Sequence, residues 1–123
     1  MRKLALSDEI LMSVDKAARY IGGEVNAVLK DPEKVDVRVA MCFPDVYEIG
    51  MSNLGMSILY HTINSLYFVW CERVFAPWGD MYDEMPKAGI PLYALESGDP
   101  LSEFDAVAFS VGYEMAFTCV LDM

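Results

Sequence analysis

Basic residues are scarce in this chain: 9 lysines and arginines stand against 19 aspartates and glutamates, a net charge of −10. No basic cluster forms beyond Arg2-Lys3. Nucleic-acid binding needs a surplus of Lys and Arg to neutralise phosphates, so that function class is excluded for this chain alone. Long apolar runs are also missing, and no stretch approaches the ~20 apolar residues of a membrane span. Ser7, Asp8 and Glu9 interrupt the apolar start too early for a secretory signal. There is one histidine, His61, placed mid-helix and expected to be structural. The three cysteines, Cys42, Cys71 and Cys119, are far apart and lack the close Cys/His spacing of a zinc site or a four-cysteine cluster. Each falls in an apolar segment, where buried free thiols in a reducing cytoplasm are expected. A Gly-x-Gly-x-x-Gly loop is absent too, which speaks against a mononucleotide or flavin site.

What is present is an apolar content of 54%, enough for a core despite the charge, in a chain of one domain or a large part of one. Residues 1–34 read as a helical leader, with Ser7 as N-cap, Asp8 and Glu9 in the first turn and Gly22-Gly23 as a break. Val35 to Cys42 alternates β-branched residues as a strand does. From Gly50 to Leu66, apolar residues at 51, 54, 58, 59, 63 and 66 predict one helix. Val69–Phe75 is a second strand, and Met81 to Ala88 a second helix stopped by Gly89. A short extended piece, Ile90 to Leu95, precedes a turn at Ser97-Gly98-Asp99-Pro100. Phe104 to Val111 is apolar on both faces, as a central parallel strand is. Tyr113 to Met123 begins another helix. Strands alternating with helices predict an α/β fold, a partial flavodoxin-like or Rossmann-like parallel sheet with helices on both faces. Residues 35–123 form an incomplete domain of this kind, since doubly wound domains have five or six strands.

The segment Phe43-Pro44-Asp45-Val46-Tyr47-Glu48-Ile49-Gly50 joins the first strand to its helix. Ligands in such folds are held at the carboxyl ends of the strands. Asp45 and Glu48 offer carboxylates to a cofactor's amides, Gly50 allows close approach, and Ser52 is either ligand or, preferably, helix N-cap. After the second strand, Pro77 and Trp78 supply an aromatic wall. The third strand runs out through Ser110 into Tyr113-Glu114, echoing Tyr47-Glu48. A strand order of 2-1-3 would bring both Tyr-Glu pairs to one crevice. Each residue also has a plain structural reading: a solvated carboxylate, a turn glycine, a packed tryptophan. No nucleophile with an oriented base is visible, so no catalytic residue is assigned.

Ala18-Arg19-Tyr20-Ile21-Gly22-Gly23-Glu24, the run from Phe43 to Gly55, Ile58-Leu59-Tyr60-His61 and Arg73-Val74-Phe75-Ala76-Pro77-Trp78 resemble the start of a family of bacterial radical SAM proteins. That family carries a cobalamin-binding-like domain ahead of the radical SAM barrel. The resemblance implies a cobalamin-binding type of fold, with Asp45 and Gly50 matching Asp-x-His-x-x-Gly and Tyr47 standing where the cobalt-ligating histidine would be. Ser110 matches a Ser-x-Leu segment, and the later Gly-Gly segment would fall beyond Met123. Cobalamin, if bound, would lack a protein histidine ligand. The resemblance also implies that the [4Fe-4S] cluster and S-adenosylmethionine belong to a downstream part carrying Cys-x-x-x-Cys-x-x-Cys, a motif absent here.

The expected function is therefore a cytoplasmic, non-catalytic N-terminal domain that positions a cofactor or substrate against a downstream radical SAM domain of the same protein. The alternative is a degenerate docking or dimerisation module that binds no small molecule, since the open edges of an incomplete sheet favour self-association.

Overall fold

The computed structural model describes residues 6–123. Three parallel strands, β1 (Val37–Phe43), β2 (Val69–Phe75) and β3 (Ala106–Phe109), form one sheet in the order β2-β1-β3. β1 pairs along its whole length with β2, from Val37 against Val69 to Phe43 against Phe75. It pairs more briefly with β3, from Val39 against Ala106 to Cys42 against Phe109. The fold is α/β, and the expected 2-1-3 order holds.

The expected single helix after the first strand is two. α2 (Tyr47–Ser52) starts three residues before Gly50, and the chain breaks at Asn53 before α3 (Leu54–Asn64). Asn53 leaves helical geometry and accepts the Met56 N–H on its side-chain oxygen at 2.9 Å, so Asn53 rather than Ser52 is the N-cap. The break also resets the helical phase. Met56, Tyr60 and Asn64 face the sheet, whereas Leu54, Ile58, Leu59 and Leu66 from the predicted stripe are exposed. Met56 and Tyr60 pack with Met41, Cys71 and Phe75 on one face of the sheet. The other face, carrying Ala40, Cys42 and Val74, is covered by Ala94, Leu92, Leu101, Phe104 and Met123.

α4 (Gly79–Ala88) ends at Gly89, whose φ of 67° closes the helix in the left-handed region. Its Met81 and Met85 pack with Val14 and Tyr93, against the leader rather than the sheet. In the leader, α1 (Asp8–Ser13) has the expected Ser7 cap, followed by 3₁₀ turns at Ala17–Arg19 and Pro32–Lys34. The remainder is irregular, and residues 1–5 of the predicted leader lie outside the described residues. α5 is Ala116–Asp122.

One expectation fails at β3. It spans four residues, all exposed, where a buried central strand was predicted. Its apolar sequence is that of a central strand, but only β1 flanks it here.

Candidate functional site

The carboxyl ends of β1 and β2 meet where Ala76 N–H donates to the Asp45 carbonyl at 3.0 Å. Asp45 also turns its carboxylate back to accept the Val46 N–H at 2.7 Å, so it builds the loop that carries it. The leader lies across this end. The Arg19 guanidinium bonds Glu48 at 2.8 Å, and Lys16 reaches the same oxygen at 3.5 Å. Arg19 also sits 5.3 Å from the centre of the Trp78 ring. Tyr20 accepts the Trp78 backbone N–H at 3.2 Å and donates to Asp80 at 3.4 Å, while Asp80 accepts the Asp15 N–H at 2.9 Å.

Tyr47 donates its hydroxyl to Glu24 of the leader and sets its ring edge-on to Phe75, centroids 5.7 Å apart. Burial, then the Glu24 carboxylate, push its phenol up to about 12, so it stays protonated at neutral pH. What is left between Arg19, Tyr20, Tyr47, Trp78 and Tyr93 is a cleft of about 30 Å³. That is space for one or two waters. A wider groove of about 200 Å³ runs between α4 and the end of α5, walled by Pro77, Tyr82, Leu92 and Met123.

Gly50 serves packing. A Cβ there would lie 2.1 Å from the Phe75 ring, so only glycine lets α2 close on the strand ends. Ser52 donates to the Glu48 carbonyl at 2.6 Å within α2. The charge of Glu48 is held by its bond to Arg19, which draws its pKa below the ordinary carboxylate value. Burial works against ionisation of Asp80, but hydrogen bonds from the Asp15 and Met81 N–H groups outweigh it and lower its pKa too.

The β3 side is different. Ser110 N–H donates to the Cys42 carbonyl at 2.9 Å, which fixes the loop beside β1. Tyr113 is half-exposed and Glu114 exposed, and neither side chain makes a hydrogen bond to the described residues. The two Tyr-Glu pairs thus have separate surroundings: Tyr47-Glu48 is held by the leader, whereas Tyr113-Glu114 faces solvent.

Two buried ionic groups were not singled out from the sequence. Arg38 of β1 bonds Glu72 of β2 at 2.6 Å and Asp99 at 3.0 Å, and lies 4.5 Å from the Phe104 ring centre. Arg73 pairs with Glu96 at 2.7 Å. The signal was Glu72-Arg73 inside an apolar strand, since buried charges in a core come with partners. Both groups tie the segment after α4 to the sheet. Cys42 and Cys71 are buried, with thiols pushed up to about 12 by burial, while Cys119 is only partly buried, short of the expectation. His61 is exposed on α3 and sets its ring edge-on to Tyr60. Among the described residues, no group of three His, Cys, Asp or Glu could hold a metal ion, and no helix is long and apolar enough to cross a membrane.

Compared with protein families, residues 55–123 match the family described as radical SAM proteins, N-terminal. The chain belongs to this family. The match covers more than half its length, from the first turn of α3 through β2, β3 and α5. No curated protein and no solved structure matches the chain. A radical SAM family implies an iron–sulfur cluster and S-adenosylmethionine in the catalytic part.

Proposed function

We propose that this chain is the non-catalytic N-terminal module of a radical SAM iron–sulfur enzyme, made of a leader (residues 1–34) and an incomplete cobalamin-binding-like domain (35–123). It positions a substrate or cofactor against a downstream radical SAM domain of the same protein, in the cytoplasm. The observation that carries this reading is the family match over residues 55–123, in a chain whose parallel sheet has the order 2-1-3 and whose β3 carboxyl-end loop, with Ser110, Tyr113 and Glu114, stands open.

The residues present do not fit a corrin with a protein ligand to cobalt. Tyr47 replaces the histidine and is bonded to Glu24, and the Phe75 ring fills the space above Gly50. The cleft beside Trp78, about 30 Å³, is far too small for a corrin. A corrin would have to sit on the β3 side without a ligand from this chain. Adding hydroxocobalamin should therefore leave the corrin's visible bands at their positions in buffer. In the full protein, Tyr113→Ala and Glu114→Gln should raise KM while iron content stays constant. A corrin spectrum that shifts, and stops shifting with Tyr113→Ala, would restore the cobalamin reading.

The closed β1/β2 end favours a second reading, a docking module that binds no small molecule. Unchanged KM in both variants would select it.

A further inference from the structure

The two edges of the sheet are built differently. On the outer edge of β2, every outward backbone group from Val69 to Arg73 has a partner that is not a strand. Val69 N–H donates to the Leu66 carbonyl at 3.3 Å, and its carbonyl accepts from Lys30 Nζ at 2.5 Å. The Asn64 side chain bonds both the N–H and the carbonyl of Cys71. Arg73 N–H goes to Glu96, and its carbonyl accepts the Leu95 N–H. This edge is closed to any further strand.

The outer edge of β3 has none of this. With Ala40 opposite Val107 and Ser110 N–H on the Cys42 carbonyl, the N–H and C=O of Val107 and Phe109 point away from β1. No hydrogen bond from elsewhere among the described residues reaches them. Val107, Phe109 and Val111 are each more than a third exposed, so the edge is open, apolar and unprotected by charge.

The path of the chain says where a further strand goes. The crossover from β1 to β2 uses α3, on the face of Met41 and Cys71. The crossover from β2 to β3 goes to the opposite side of β1 and passes over the opposite face, that of Ala40 and Cys42. Both connections therefore have the same hand, and parallel crossovers are right-handed. After β3, α5 returns over the Ala40 and Cys42 face, where Met123 packs. A connection of the same hand on that face leads outward, past β3.

We propose that the free edge of β3 is the docking surface for a parallel strand, apolar on both faces, supplied by the remainder of the radical SAM protein. This rests on the proposed function, in which such a remainder accompanies the module.

Amide hydrogen exchange tests it, on this chain and on the full protein. In the full protein the Val107 and Phe109 amides should exchange about 100-fold more slowly than in the chain alone. Val107→Pro removes an outward N–H without touching a bond to β1, and should abolish the added protection of Phe109. Val107→Lys, which keeps the N–H but puts a charge on the apolar edge strand, should reduce it. Equal exchange in both forms would overturn the proposal. So would a dimer of the chain alone that protects both amides and is dissociated by Val107→Pro, because the occupant is then a second copy. Iron and sulfide content of the full protein reads the proposed function separately. Protected amides without iron would sink that reading and leave the strand in place.

Discussion

Asn64 at the end of α3 and Cys71 in β2 exchange two hydrogen bonds, each 2.9 Å long, so one side-chain amide does the work of a neighbouring strand. Replacing Asn64 by alanine leaves a buried N–H and a buried carbonyl without partners. The expected loss is about 2–4 kcal/mol in urea denaturation. Asn64→Asp keeps the acceptor alone and should fall between alanine and wild type.

Gly50→Ala places a methyl group against the Phe75 ring, 2.1 Å from its nearest atom. The clash should cost about 1–3 kcal/mol, against a helix-propensity gain of about 1 kcal/mol. Phe75→Leu in the same chain makes room, so the double variant should be more stable than the sum of the single losses. A strictly additive double mutant would show that Gly50 is not held by that ring.

The leader should leave the body in acid. Glu48 and Asp80 both have folded pKa values below their ordinary ones. Groups of this kind stabilise the folded state above their unfolded pKa, and the contribution is lost as pH falls through the lowered folded value. Glu48 holds Arg19 and Lys16, and Asp80 holds Asp15 and Tyr20. Acidification through and below the carboxylate range should free residues 15–20 and lift Arg19 from Trp78. A change in tryptophan fluorescence over that range reports it, and should vanish in Trp78→Phe. Arg19→Met should remove the part carried by Glu48.

Thiol titration should separate the cysteines. Cys42 and Cys71 are buried with pKa values pushed up to about 12, so a thiol reagent should modify Cys119 alone in the native chain and all three in denaturant. Rapid native modification of Cys71 would mean that the core under α3 opens readily.

Local patterns made much of the fold readable. Val69–Phe75 was placed to the residue because turn residues bound an unbroken strand-like run. Alternating strands and helices predict a parallel sheet, and the order found is the 2-1-3 of a flavodoxin-like one. The apolar stripe does not mark the buried face of α3, because its 3.6-residue spacing runs through Asn53, where a single side-chain cap restarts the helix. The grip of the leader on the site was invisible for another reason. It depends on single long side chains, Arg19 and Tyr20, that reach far along the chain and leave no periodic trace. Of the site residues, Tyr47 and Trp78 do meet in one cleft. Gly50 and Ser52 serve the backbone around it.

The difference between the two sheet edges also sets a limit on assembly. A template with two receptive sides can stack copies without end, which is how strand addition becomes fibre growth. Here Lys30, Asn64, Glu96 and Leu95 occupy one side. Copies joined through β3 would expose only spent sides, so polymerisation stops at a pair. Joining a different strand stops it at one to one. The side chains that finish β2 thus fix the stoichiometry of whatever is added on the far side of the sheet.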